Sequence, residues 1–388
     1  MMSYVKRILF IQFSLDFISG AFLVLSSWTV FASTGSAVLT GLYVSLGFLP
    51  SLISNIYIGA IVDRWDAKKM MQIALGVMLL AIACISVSFS YEVIVLLFVA
   101  QMLVQLGGSI FRPSVQVYMT HLYEPEKLTY IFTKSASLTI LGGVVGTFIA
   151  SQFLSFSAFY VFVLMLLFVV ITIIISMQLP QSAPKRMAKK STIHQDIIEG
   201  FHYAKSNQLF VKLFILLGSG QVITHCTIGF LAAFTYEAFT NNAAIYGYLQ
   251  ISLTVGGVVL GFLTKKHLAK CEHYFSKGAF LILCISLFVC AVSSHIIVIG
   301  ASLFVIGLLT TWIRSHYQAV QQMNTDRQFN GKMASFRMII NQSSVVVISP
   351  LLGVVGSTFG INYIYALLAV IALNAFFTNV KLNLNQSS

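Results

Sequence analysis

The sequence predicts an all-α polytopic membrane protein, with twelve transmembrane helices in two pseudo-symmetric six-helix halves. Three observations carry this. The chain has 388 residues, 58% of them hydrophobic and only 9% charged, a composition well beyond what the core of a soluble domain needs. Apolar runs begin near residues 8, 38, 70, 93, 131, 158, 209, 244, 277, 296, 333 and 358, and each span needs about 20 such residues. With only six prolines, these continuous runs favour helices over the alternating pattern of a barrel.

The first run follows Lys6 and Arg7. It is too long for the apolar core of a signal peptide and carries Asp16, so it reads as the first span. The second run ends in GAIVDRWDAKK, residues 59 to 69. Its charges cannot sit in hydrocarbon, so it forms a short aqueous turn between the second and third spans.

The formal charge of +12 suggests nucleic acid or anionic lipid until the charges are placed. Loops near 33–37, 90–92, 155–158, 239–243, 294–296 and 357–362 contain no Lys or Arg. The alternate set holds Arg64, Lys68, Lys69, Lys127, Lys185, Arg186, Lys189, Lys190, Lys205, Lys265, Lys266, Lys270, Lys277, Arg327 and Lys332. That asymmetry puts both termini and the basic loops in the cytoplasm, so most of the basic excess is an orientation signal rather than a nucleic-acid site. Cys84, Cys226, Cys271, Cys284 and Cys290 have neither metal-ligand spacing nor a disulfide framework and read as small packing residues.

Residues 180–207 are the one long polar interruption. The expected organisation is an N-terminal six-helix half over 1–179, a basic cytoplasmic linker over 180–207 and a C-terminal six-helix half over 208–388. Within the linker, Ile193, Ile197, Phe201 and Ala204 share one helical face, which predicts a short amphipathic helix on the membrane surface or against the bundle. A shift of 202 residues sets Gly59, Asp63 and Arg64 over Gly261, Lys265 and Lys266, Arg112 over Arg314, Gln116 over Gln318, and Glu124 over Asp326. Those landmarks at one offset make an internal repeat.

The turn at Gly59, Asp63, Arg64, Lys68 and Lys69 resembles the loop signature of the major facilitator superfamily of transporters, with Asp66 and Ala67 replacing the expected glycine and arginine. The resemblance implies tandem halves related by an axis along the membrane normal. The stretch from Val30 to Met71 and the segment HQDIIEGFHYAKSN resemble the macrolide-efflux and enterobactin-exporter branch of drug:proton antiporters. Two motifs depart from that branch. QMLVQLGGS has Gln101 and Gln105 where an arginine motif is expected, and GGVVGTFIAS has Thr147 where the antiporter motif has proline. Gly142, Gly143 and Gly146 still allow close helix packing.

Candidate site residues are polar groups held in the membrane at helical spacing. Gln12, Asp16 and Ser19 gather on one face of the first span. A carboxylate roughly 13 Å inside is costly when charged and is suited to taking up and releasing a proton, so Asp16 is the coupling candidate; the competing reading is a structural acid, paired with a nearby arginine or capping a kink beside Gly20. Gln101, Gln105, Arg112 and Gln116 share a face of the fourth span, as do Arg314, Gln318 and Gln321 on the tenth, and Gln221 and His225 lie one turn apart on the seventh. The resemblance places these spans around a central cavity. Lys134 and Arg337 read as interfacial anchors, and Trp28, Phe48, Tyr236, Tyr246 and Trp312 as packing aromatics ahead of ligand platforms. By resemblance, Gly59, Asp63, Arg64, Lys68, Lys69 and Glu124 form a cytoplasmic gate.

The expected function is proton-coupled export of a small amphipathic solute, either a macrolide-like drug or a siderophore, by alternating access in the cell membrane. Proton-coupled uptake of an anionic metabolite is the nearest alternative; a non-transporting receptor or lipid flippase is the more distant one. No catalytic constellation, P-loop, cofactor or metal site is expected. The partners are the solute, a proton and the bilayer, and the family resemblance implies a monomer.

Overall fold

A computed structural model describes residues 2–62, 65–123, 125–181, 193–239, 242–262, 265–326 and 329–382. The chain is all-helical, with no strand among the described residues. In order come α1 (Met2–Thr34), α2 (Ala37–Val62), α3 (Ala67–Tyr91), α4 (Val95–Leu122), α5 (Pro125–Leu154) and α6 (Ala158–Met177). Then follow α7 (Ile193–Ser206), α8 (Gln208–Ala238), α9 (Ala243–Phe262), α10 (Lys265–Val292), α11 (Ile296–Asn324), α12 (Asn330–Phe359) and α13 (Asn362–Val380).

Ten of these helices are long and apolar enough to cross a membrane, and α9 and α10 contribute shorter apolar stretches, Ala243–Val259 and Gly278–Val292. Together they account for the twelve predicted runs, with α7 as the thirteenth helix. The last run was expected near residue 358, but α12 continues to Phe359 and stops at Gly360, whose φ of 108° is open to glycine and not to bulkier residues. The final span therefore starts at Asn362.

Two compact units form. The first comprises Met1–Ser33, Leu46–Lys190 and Asn242–Gly247; the second comprises Thr34–Ser45, Ser191–Asn241 and Tyr248–Ser388. In the first unit α1 and α5 meet almost backbone to backbone. A side-chain carbon at Gly142 would collide with the Phe13 carbonyl oxygen, and one at Gly146 with that of Phe17. From the other side, a Cβ at Gly20 would lie 2.5 Å from the Gly143 carbonyl oxygen and 3.0 Å from Thr147 Oγ1. Thr147 thus fills the antiporter-motif proline position with a residue that fits this seam. Small residues permit such approach where water supplies no hydrophobic drive. The Asn242–Gly247 stretch joins this unit through Tyr246, whose hydroxyl lies 2.9 Å from Ser27 Oγ and whose ring stacks on Trp28 at 5.9 Å.

The second unit is built similarly around α12. Gly41 faces the Ser349 carbonyl, Ser349 Oγ donates back to the Gly41 carbonyl at 3.0 Å, and Ser45 Oγ donates to the Val346 carbonyl at 2.7 Å. The amphipathic α7 docks against the helices of this unit. Tyr203 stacks on Phe329 at 4.3 Å, its hydroxyl accepts from the Asp326 amide at 3.2 Å, and Glu199 pairs with Lys332.

Gly146→Val is expected to lower the unfolding temperature in detergent by the equivalent of about 1–3 kcal/mol or more, since the added carbons meet backbone that cannot yield. Gly76→Ala, at an exposed α3 site with open space around it, should be neutral or slightly stabilising. Equal melting of the two variants would contradict a tight α1–α5 seam.

Candidate functional site

Asp16 lies in the interior of α1, about 18 Å from the Tyr4 end of the span Tyr4–Thr34 and about 27 Å from the other end at 1.5 Å per residue. It is only partly exposed. Its side chain is hydrogen-bonded to Thr139 of α5, and the Arg112 guanidinium of α4 acts on its charge. One turn earlier, Ser135 Oγ donates to Gln12 Oε1 at 2.5 Å. Each bond joins the same two helices, and the donors and acceptors are four apart on both, so one face of α5 reads one face of α1. Where these hydroxyls end, Gly142 and Gly146 continue the face. An acid in a span is costly when charged, and a hydroxyl and a positive charge both act on this one.

The remaining candidates on α1 and α4 separate by environment. Ser19 Oγ turns back to its own helix and donates to the Leu15 carbonyl at 2.9 Å. Arg112 and Gln116 are exposed, and Gln105 is half-buried. Gln101, by contrast, is buried against α2, where a Cβ on Gly47 would lie 2.7 Å from its Nε2. Gln101 therefore packs α4 on α2, while Arg112 is the α4 group whose charge acts on Asp16.

In the second unit Gln221 and His225 of α8 and Gln318 of α11 are half-buried, and Arg314 is exposed. Gln321 is buried and accepts from Arg337 Nη1 of α12 at 2.7 Å. Arg337 corrects an expectation. It stands about 10 Å into α12, yet it is 9% exposed and turned into the bundle, not toward the interface. Lys134 is exposed. Trp28, Tyr246 and Trp312 are all buried, Trp312 stacking on His316 at 4.6 Å, which fits packing better than an open ligand platform.

Of the expected gate, Asp63, Arg64 and Glu124 lie outside the described residues, and Gly59 is in the helical backbone of α2. Lys69 is exposed. Lys68 Nζ donates to the carbonyls of Met177 at 2.9 Å and Leu179 at 2.5 Å, closing the orphan acceptors at the end of α6. Asp66, the departure from the loop signature, is the N-cap of α3: its carboxylate accepts from the Lys68 amide at 2.8 Å. Ser135, Thr139 and Arg337 were not among the expected site residues. The signal for the first two was present, because 135, 139, 142 and 146 repeat small or hydroxyl residues at helical spacing.

Long apolar helices that carry an acid, Asp16, inside the first span and a buried arginine, Arg337, in α12 are the make-up of a polytopic membrane protein. The Major Facilitator Superfamily profile matches residues 8–350, and the chain belongs to that superfamily. It is 21% identical over 379 residues to a staphyloferrin A transporter of Staphylococcus aureus (strain NCTC 8325 / PS 47), covering 92% of each chain. Among solved structures it resembles the nucleoside transporter NupG, with a TM-score of 0.78 at 14% identity over 97% of this chain and 98% of that one. It also resembles a POT family transporter in complex with 5-aminolevulinic acid, with a TM-score of 0.76 at 13% identity over 100% and 97%. A bacterial homolog of the lysosomal transporter Spinster gives a TM-score of 0.74 at 12% identity over 100% and 98%. At such identities these structures establish the fold and not the cargo.

Arg337→Ala is expected to destabilise the protein by about 1–3 kcal/mol, because the buried Gln321 Oε1 loses its donor. The double variant Arg337→Met with Gln321→Leu, which removes both polar groups, should recover part of that loss. Thermal unfolding of the two proteins in detergent checks this; an unchanged midpoint for Arg337→Ala would show the bond to be dispensable.

Proposed function

We propose that this chain is a proton-coupled exporter of a small amphipathic solute, a siderophore or another carboxylate-bearing metallophore ahead of a macrolide-like drug. The observation that carries the reading is Asp16 inside the membrane, with the Thr139 hydroxyl on it and the Arg112 charge acting on it. Siderophore over macrolide is supported by the relative named as a staphyloferrin A transporter. It is supported also by charge: Arg112, Arg314 and Arg337 stand in the spans against the acids Asp16 and Glu237, a balance that favours an anionic or zwitterionic cargo.

In this reading the protein sits in the cell membrane as a monomer, with both termini and the basic loops in the cytoplasm. Residues 1–179 and 208–388 act as two six-helix halves that rock about a site near the midplane, and residues 180–207 tether them. Gln12, Asp16, Ser19, Gln105, Arg112 and Gln116 serve the site from one half, and Gln221, His225, Arg314, Gln318 and Gln321 from the other. Gly59, Asp63, Arg64, Lys68, Lys69 and Glu124 close the cytoplasmic side. The coupling rule is mutual exclusion. Ionised Asp16 accepts donors from the solute, and a proton arriving from outside removes that acceptor and releases the cargo.

A second reading rests on the same pair. If protonation of Asp16 frees Arg112 to hold a solute carboxylate, proton and anion bind together and the protein is an uptake symporter. Flux in inside-out vesicles with an imposed proton gradient separates the readings. Acid-inside vesicles are expected to accumulate a citrate-type siderophore in preference to a macrolide, and Asp16→Asn to lose that gradient-driven accumulation at least tenfold. Full accumulation by Asp16→Asn would remove Asp16 from coupling, and accumulation driven only by the opposite gradient would establish the symporter.

A further inference from the structure

An apolar groove of about 530 Å³ opens on the side of the second unit, within the size range of about 300–1,000 Å³ in which proteins seat small ligands. It is formed by α7, α8, α12 and α13, and its walls include Phe214, Phe336, Ile340 and Ile371. Phe201, Val211 and Ile215 on its lip are 46%, 43% and 48% exposed, so the groove opens outward from the helix bundle. It has one charged lining residue, the exposed Lys205 at the end of α7, whose Nζ lies 6.0 Å from the centre of the Phe201 ring.

The dimensions indicate the occupant. Along α8 the lining runs from Val211 to Val222, about 16 Å, and along α12 from Phe336 to Ile348, about 18 Å. Half the hydrocarbon thickness of a bilayer is about 15 Å. Val211 stands near the start of the span Gln208–Ala238, so in a bilayer the groove would begin at the headgroup level, where Lys205 stands, and end near the midplane. Gly218 and Ser344 line the floor, where a Cβ on Gly218 would lie 3.3 Å from Ser344 Oγ and take up space. Apolar walls one leaflet deep with a cation at the mouth match a phospholipid whose acyl chain lies in the groove and whose anionic headgroup meets the ammonium.

We propose that this groove is a binding site for an anionic phospholipid of the leaflet on the basic side, with Lys205 selecting the headgroup. The site is separate from the Asp16 constellation and stands whether or not the proposed cargo is right. The lipid would tie α7 to α8 and α12, holding the linker helix down.

The test is native mass spectrometry of the full-length protein in detergent, titrated with phosphatidylglycerol or with phosphatidylcholine of the same chains. Wild type is expected to retain phosphatidylglycerol at least fivefold better. Lys205→Gln, a change at an exposed residue, should reduce phosphatidylglycerol to the phosphatidylcholine level. Gly218→Leu, which fills the floor, should reduce both. Equal retention of the two lipids by wild type, or undiminished phosphatidylglycerol on Lys205→Gln, would overturn the proposal, as would a groove that takes the citrate-type siderophore and no lipid.

Discussion

The first unit turns on one carboxylate in a medium that opposes charge. Asp16 stays in the interior of α1 because Thr139 reaches it with a hydroxyl and Arg112 supplies a positive charge. Thr139 could not do so if α1 and α5 stood at an ordinary helix-packing distance. The glycines bring them closer. With Gly142 and Gly146 pressed on the carbonyls of Phe13 and Phe17, the short side chains of Ser135 and Thr139 span the gap to Gln12 and Asp16. Backbone packing and site chemistry are therefore one arrangement: enlarging a glycine would separate the hydroxyls from their acceptors.

The second unit handles its buried charge differently. Arg337 has a neutral amide, Gln321, as its hydrogen-bond partner on the neighbouring helix, where the first unit matches a cation with an acid. The repeat at an offset of 202 residues preserved loops and the Arg112/Arg314 positions but not this chemistry. Proton exchange in the proposed mechanism is accordingly assigned to the first unit, and the second offers cations and amides for solute recognition. The helix before α8 anchors to the second unit through Tyr203, Phe329 and the Glu199–Lys332 pair, so α7 is structurally part of that unit and borders the lateral groove.

The twelve spans were legible because each is a long apolar run, and hydropathy alone sets where such a run can lie. Asp16 and Arg112 were legible because a charge in such a run is costly and therefore conspicuous. Thr139 and Ser135 were harder to see: a hydroxyl in a membrane helix can satisfy itself on its own backbone, as Ser19 does, and only tertiary packing shows which hydroxyls reach across. Arg337 was misread because its distance from the helix start does not reveal which way the side chain turns. Asp66 looked like a defect in the family signature when read as a motif, and is a helix cap when read as local structure.

The most direct test of the account is proton movement on solute binding. Purified protein in weakly buffered detergent would be mixed with a citrate-type siderophore, from neutral pH down to a pH at which Asp16 is protonated, while a pH indicator is followed. The account predicts that wild type releases a proton as the solute takes the Asp16 acceptor, and that Asp16→Asn binds without release. Proton uptake by wild type, or binding with no proton exchanged, would contradict it.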